Sequence, residues 1–143
     1  MAEILTHLEA GVTLRYGIVS AIDAVAHRVR VYLPDLDLTT WWLAVLVPGS
    51  RADLHYGLPD LGEHIACLLD ARGETGVVLG SLYSARDAAP VDGAPDRHHV
   101  RFADGTTIDY DRRTHKLMLH CVGDVEIVSD THIIMRAPRI DLN

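Results

Sequence analysis

Residues 117–137 read LMLHCVGDVEIVSDTHIIMRA and form a long alternating stretch in the last third of the chain. Apolar or small residues occupy the odd positions, and most of the charged residues and histidines occupy the even ones. Successive side chains of a β-strand point to opposite faces, so this period of two predicts extended strands. The apolar pairs also recur every eight residues until Pro138, at Leu117 and Leu119, Val125 and Ile127, and Ile133 and Met135.

A repeat of this length is one strand and one corner, which is too short to enclose a core by itself. A single chain would leave an apolar face and open strand edges exposed. Three identical chains wound about one axis would pair these edges and bury the odd positions, so the pattern predicts a homotrimer. Its predicted trimer core consists of Leu117, Leu119, Val125, Ile127, Ile133 and Met135. The alternative is that residues 98–143 form two further hairpins packed on the first domain.

The rest of the chain shows the sequence pattern of short strands separated by turns. Residues 1–12, with Ile4, Leu5 and Leu8 at helical spacing, are predicted to form a helix or arm that Gly11 ends. Apolar or alternating runs separated by turn residues follow at 16–24, 28–33, 41–47, 64–69 and 76–82. Five short strands in about 70 residues predict a small closed barrel or a sandwich over residues 13–84, with an OB-type barrel as the favoured form. Only 6% of the residues are aromatic, so we expect an aliphatic core.

The composition changes after this predicted barrel. Residues 85–97 contain two prolines and three aspartates without periodicity, which is typical of a linker. Residues 98–143 are predicted to form a β-helix segment. It would begin with a hairpin over 102–110, because Asp104 and Gly105 favour a tight turn. The predicted fold class is therefore all-β, with an amino-terminal barrel and a carboxy-terminal trimeric β-helix.

Charge and cysteine content exclude several functional classes. The net charge is −7, from 20 acidic and 13 basic residues, and no basic stripe favours a nucleic-acid partner. Cys67 and Cys121 lie among apolar residues and are expected to be buried reduced thiols, which fits synthesis in a reducing cytoplasm. The chain shows neither a signal-peptide pattern nor an apolar run of the roughly 20 residues that span a bilayer.

The candidate carboxylates do not predict an enzyme. Asp35 with Asp37, or Glu63 with Asp60, would supply the acid pair of a glycosidase. However, Asp35 and Asp60 each follow a proline in a turn motif, where an aspartate caps the turn. No local signature of a Ser-His-Asp set or of a phosphate-binding glycine loop is present.

The histidines do not predict a metal site. His98 and His99 are adjacent and would point to opposite faces of a strand, and His120 and His132 are twelve residues apart. We expect neither a metal nor a cofactor. Trp41 and Trp42 would also point to opposite faces, so one of them is a candidate interface anchor.

Several motifs resemble, in order and spacing, the baseplate assembly protein V family, the central spike proteins of contractile phage tails. They are residues 16–19, 28–34, 42–46, 58–63, 76–82 and 102–110, followed by the eight-residue repeat. Nearly the whole chain is covered. The resemblance implies an OB-fold that docks on the baseplate hub and a trimeric β-helix that pierces the target envelope. It also implies a virion tail location after assembly in the host cytoplasm.

The chain departs from that family at one point. Family members often end in an apex at which His-x-His motifs hold an iron ion, and this sequence contains no His-x-His. Either the sequence is a fragment or a separate tip protein caps the spike, so no metal site is carried over. The alternative function is that of an OB-fold binding module for single-stranded nucleic acid or oligosaccharide.

Overall fold

The computed structural model describes residues 11–90 and 93–143, which contain nine β-strands and no helix. Most of the predicted helix or arm over 1–12 lies outside the described residues, as do positions 91 and 92 of the predicted linker. The chain divides into two compact units after Pro90. Each unit has its own sheet.

The first unit is built from six strands in chain order. They are β1 (Thr13–Asp23), β2 (Arg28–Leu33), β3 (Leu38–Thr39), β4 (Leu43–Val45), β5 (His64–Leu69) and β6 (Gly76–Ser81). Five of them close into a barrel, and the short β3 pairs with the end of β2. The prediction of an all-β chain with a small amino-terminal barrel is confirmed.

Strand β1 closes the barrel because it pairs along both of its sides. Its first half, Thr13–Ile18, pairs antiparallel with β5, and its second half, from Ile18 onward, pairs antiparallel with β2. A β-bulge between Val19 and Ala21 accompanies this change of partner, and bulges bend strands in this way. β2 then pairs with β4, β4 pairs parallel with β6, and β6 returns to β5. All five strands therefore have a neighbour on each side.

The barrel core is aliphatic, as the composition predicted. Alternate residues of β2 and β5 point inward, and residues from the other strands complete the set. It consists of Val19, Val29, Val31, Leu33, Leu43, Ile65, Cys67, Leu69 and Val78. Cys67 is fully buried, and this burial raises the pKa of its thiol.

The strands predicted at 28–33 and 64–69 are confirmed to the residue, whereas the one predicted at 41–47 is shorter. It is reduced to β4, three residues long. Thr40 accounts for the late start of the strand, because its buried hydroxyl accepts a hydrogen bond from the Val31 amide (3.0 Å) and donates one to the Trp41 carbonyl (2.8 Å). The Thr40 amide still donates to the Val31 carbonyl (2.8 Å), so the hydroxyl takes the place of one of the two backbone bonds of an antiparallel pair.

The second unit contains a three-stranded antiparallel sheet. Its strands are β7 (Arg97–Arg101), β8 (Thr107–Asp111) and β9 (Lys116–His120), with β8 in the centre. The turn predicted at Asp104 and Gly105 joins β7 to β8. The Asp104 carboxylate accepts a hydrogen bond from the Thr106 amide (2.8 Å), and Gly105 adopts a φ of 95°.

The predicted β-helix is not seen in the single chain. Residues 121–143 form no strand, and the predicted alternation is realised as strand only up to His120 in β9. The physical reason is that a strand requires a hydrogen-bonded neighbour, and the described part of this chain offers none beyond β9.

Gly17 provides a test of the barrel closure. A Cβ atom at this position would lie 2.5 Å from both the Tyr32 carbonyl oxygen and the Val31 Cγ1. We expect Gly17→Ala to lower the free energy of unfolding of the barrel by about 1–3 kcal/mol through overpacking. Urea unfolding followed by tryptophan fluorescence measures this, because both tryptophans lie in the first unit.

Gly57 gives the matched control, because a Cβ atom there would meet nothing within 4 Å. Gly57→Ala should leave the urea midpoint nearly unchanged. Equal effects of the two substitutions would show that β1 and β2 do not approach each other closely at Gly17.

Candidate functional site

The six residues of the predicted trimer core lie on the surface of the single chain. Leu117 and Leu119 are on β9, and the other four follow the last strand. Their side chains are 52–70% exposed, with the extremes at Ile133 and Ile127. Large apolar side chains are seldom left exposed in such a dense group unless the surface binds something.

The backbone of residues 121–143 has no backbone partner in the described part of the chain. None of its N–H or C=O groups is hydrogen bonded to another backbone group there. Its few hydrogen bonds involve side chains: the Cys121 thiol donates to the Asp124 carbonyl (3.5 Å), the Thr131 amide donates to the Ser129 hydroxyl (3.3 Å), and the Val122 amide donates to the Thr106 hydroxyl (3.3 Å). Neither the side chains nor the peptide groups of this segment are satisfied as they would be in a core.

A second apolar set in this segment was missed by the sequence analysis. Val122, Val128, Ile134 and Ile140 occupy even positions and are likewise exposed. They recur at intervals of six, a signal that the sequence carries but that a period of two does not reveal. The even positions of the segment are therefore not uniformly polar, because these apolar residues alternate with its charged residues and His132.

The most buried charged side chain of the second unit was also not predicted from the sequence. Asp109 on β8 is only 9% exposed and lies opposite His99 of β7. Its Oδ1 accepts hydrogen bonds from Arg97 NH2 (2.8 Å) and Nε (3.2 Å), and lies 3.0 Å from His99 Nδ1. The Arg97 guanidinium, together with His99, holds the pKa of the Asp109 carboxyl below its ordinary value.

The other carboxylates considered from the sequence are held in turns. Asp35 pairs with Arg15 (2.9 Å), and the Glu63 carboxylate accepts the Asp60 amide (2.6 Å). Asp37 accepts the Tyr32 hydroxyl (2.9 Å), and this bond raises the pKa of Tyr32. The predicted capping of turns by Asp35 and Asp60 is therefore replaced by an ion pair of Asp35 with Arg15 and by a bond from the Asp60 amide to Glu63.

The histidines and tryptophans are placed as follows. His98, His120 and His132 are exposed, and His99 contacts Asp109. Within residues 11–90 and 93–143, no three His, Cys, Asp or Glu side chains come together as a metal site would require. Trp41 is 65% exposed, with the Arg30 guanidinium 5.5 Å from its ring centroid, whereas Trp42 is half-buried.

Comparison with known proteins gives one informative relative. No family model matches the chain. Over 126 residues, the chain is 27% identical to a protein of Escherichia phage P2 named "Spike protein". This chain is similar to a phage spike protein. The match covers 87% of the chain, so it includes parts of both units, and it spans 58% of the phage protein's own length.

The most exposed apolar surface of the second unit lies on β9 and on residues 121–143. Among the described residues, no helix is long and apolar enough to cross a membrane.

Asp109 yields a pH-dependent prediction. Because its pKa is lower in the folded chain than the ordinary value of 3.8, its contacts stabilise the sheet at neutral pH. This contribution is fully present above the ordinary value and is lost as the pH falls through the folded value. We expect hydrogen exchange at the β8 amides, corrected for its intrinsic pH dependence, to become faster over that range.

Asp109→Asn should give faster exchange at neutral pH and a weaker dependence on acid, whereas Asp124→Asn should behave like the wild type. Asp124 is exposed, which makes it a suitable control. An Asp109→Asn variant with wild-type protection at neutral pH would contradict the stabilising role of this carboxylate.

Proposed function

We propose that the chain is a structural subunit of a contractile phage tail or a related injection machine. In this proposal it is a homotrimeric central spike that docks on the baseplate hub and pierces the target envelope. Residues 121–143 carry the proposal, because they expose many apolar side chains, form no strand and have no backbone partner in the described chain. The similarity to a phage spike protein supports the same role.

The first unit would be an OB-type barrel that attaches the spike to the hub. Its ring order is β1, β2, β4, β6, β5 and back to β1, with β4 and β6 parallel. This order supports the OB assignment, because an OB-fold is a five-stranded Greek-key barrel of small size. Trp41 would then be an anchor for the hub, since exposed tryptophans often dominate the energy of a protein interface.

The second unit would supply the shaft. Three copies wound together would give each extended segment a strand neighbour on both sides and would bury the eight-residue repeat along the axis. Each buried Leu, Ile, Val or Met side chain would contribute roughly 1.5–3 kcal/mol. Six core residues in each of three chains would therefore make separation of the chains slow and costly.

The proposed mechanism is mechanical and requires no covalent chemistry. Sheath contraction would drive the stiff trimer towards the envelope, and the barrels would transmit the force. The carboxylates that a hydrolase would need are engaged here by Arg15, by the Tyr32 hydroxyl and by the Asp60 amide. A separate tip protein at the end of the shaft and assembly in the host cytoplasm belong to the same proposal.

A binding module is the second candidate function. The pair of Arg30 and the exposed Trp41 favours it, because stacked aromatic and guanidinium groups bind single-stranded nucleic acids and sugars. The net charge of −7 opposes a nucleic-acid ligand. A tryptophan-fluorescence titration with oligonucleotides or oligosaccharides that responds in the wild type and not in Trp41→Ala would favour this function over the spike.

Solution mass tests the spike proposal. We expect the wild-type chain to sediment as a trimer and Ile127→Asp to sediment as a monomer, because three carboxylates would have to enter the apolar axis without partners. His132→Asp is the control, since it adds an acid at an even position of the same segment. A monomeric wild type, or a trimer that tolerates Ile127→Asp, would be incompatible with the proposed shaft.

A further inference from the structure

The three strands of the second unit are basic, in contrast to the rest of the chain. Residues 97–120, from the start of β7 to the end of β9, contain five basic and three acidic residues and therefore carry a net charge of +2. The whole chain carries −7, so its other residues together are strongly acidic. A local excess of positive charge on an acidic protein attracts anionic ligands to that region.

The charges of this sheet lie mainly on one side. Residues that are opposite one another in adjacent strands point to the same side of a sheet. We call this side the charged face, and its first two rows are Arg97, Asp111 and Lys116, then His99, Asp109 and Met118. Leu117 and Leu119 of the predicted trimer core alternate with Lys116 and Met118 along β9 and so point to the other side. The charged face would therefore stay open in the proposed trimer.

A cavity of about 330 Å³ lies at the end of the charged face that is next to the β8–β9 turn. Asp109 and Asp111 line it from β8, and Arg113, Thr114 and Lys116 line it from the turn and from β9. Small-molecule pockets typically have volumes of roughly 300–1,000 Å³, so this cavity suits a small ligand. Because its lining is cationic, acidic and hydroxylic, that ligand must itself be polar.

Two cationic side chains of the cavity carry charge that no neighbour balances. The Arg113 guanidinium and the Lys116 ammonium form no ion pair in the part of the chain that the structure describes. Arg97 differs, because its Nη2 donates to Asp109 Oδ1 (2.8 Å). Guanidinium, ammonium and hydroxyl groups are donors that bind phosphate oxygens, and Arg113, Lys116 and Thr114 supply one of each.

The two aspartates of the cavity oppose the binding of a bare anion. Asp109 Oδ1 accepts from Arg97, and Asp111 Oδ1 accepts the amides of Arg113 (2.9 Å) and Thr114 (3.4 Å). The Oδ2 atom of each aspartate accepts no hydrogen bond from the described residues. These oxygens would repel a phosphate dianion, whereas the hydroxyl groups of a sugar would donate hydrogen bonds to them.

We propose that this cavity is a binding site for a phosphorylated sugar. Arg113, Lys116 and the Thr114 hydroxyl hold the phosphate, and the Oδ2 atoms of Asp109 and Asp111 accept hydrogen bonds from the sugar hydroxyls. A sugar without phosphate lacks the cationic contacts, and free phosphate meets the acids without any hydroxyl to offset the repulsion. The site is complete within one chain, so this inference goes beyond the proposed spike and does not depend on the trimer.

Calorimetric titration of the full chain at low ionic strength tests the ligand class. We expect glucose 6-phosphate to bind at least about tenfold more tightly than either glucose or inorganic phosphate, since each of these lacks one set of charge-assisted hydrogen bonds. Phosphatidylcholine vesicles with and without monophosphoryl lipid A identify the source of the sugar phosphate. Binding only to the vesicles that contain this lipid indicates a membrane glycolipid, and binding of glucose 6-phosphate alone indicates a soluble ligand.

Two substitutions with a matched control test the cationic contacts. Lys116→Gln and Arg113→Gln should each weaken the binding of glucose 6-phosphate by at least about tenfold, because each removes a charge-assisted hydrogen bond. Arg101→Gln is the control, since Arg101 is an exposed cation on the same side of the sheet outside the cavity. It should weaken binding by less than about threefold, which is the size of a screened surface effect. Circular dichroism checks that the variants fold.

Asp111→Asn tests the sugar contact separately. An asparagine Oδ1 can still accept the two turn amides, but the side chain no longer carries the charge that repels phosphate and is a weaker acceptor for hydroxyls. We expect the preference for glucose 6-phosphate over inorganic phosphate to fall at least about threefold, because only the sugar loses a contact. A basic patch without a sugar site would instead bind both ligands more tightly by the same factor.

Three results would overturn this inference. The first is that glucose 6-phosphate binds no more tightly than inorganic phosphate. The second is that Arg101→Gln weakens binding as much as Lys116→Gln, which would show a general attraction of anions to the sheet. The third is that the wild type gives no binding of glucose 6-phosphate. None of them bears on the sedimentation of the wild type and Ile127→Asp, so the proposed spike is decided independently.

Discussion

An extended peptide segment is stable only when its N–H and C=O groups find hydrogen-bonding partners, and this requirement separates the two units of the chain. The barrel meets it by closure, since each of its five strands has a neighbour on both sides. The second unit meets it only as far as His120, with β7 and β9 as open edges and residues 121–143 unpaired among the described residues. Open edges of this kind normally lead to pairing with another chain.

In both units, neighbouring side chains engage some of the acidic groups. In the second unit, the carboxylate of Asp109 forms an ion pair with Arg97 and a hydrogen bond with His99 on one side of the sheet, and the other side of the sheet carries no acid. In the barrel, Asp35 and Asp37 are engaged by Arg15 and Tyr32 close to the turn that follows β2. The acidic side chains of β7, β8 and β9 therefore lie on the face of the sheet opposite Val100, Ile108 and Leu119.

Much of the barrel could be predicted from the sequence, because local pattern and turn residues agree there. The strands at Arg28–Leu33 and His64–Leu69 alternate cleanly and end at recognisable turns. The strand predicted at 41–47 was too long, because the hydrogen bonds of the Thr40 hydroxyl depend on how two strands approach in space. The Asp109 cluster could not be predicted either, since its partners are set by the register of a hairpin and not by their spacing.

Gly17 and the bulge beside Val19 allow β1 to pair with both β5 and β2, and this double pairing has a consequence for folding. The partner of its first half, β5, ends at Leu69, and the ring also needs β6, which ends at Ser81, so it cannot close until more than half of the chain has been synthesised. Contacts of such long sequence separation form slowly, because the intervening loop must first be ordered. The β1 edge therefore stays available for misplaced pairing during synthesis, and a delay in producing β5 prolongs that period.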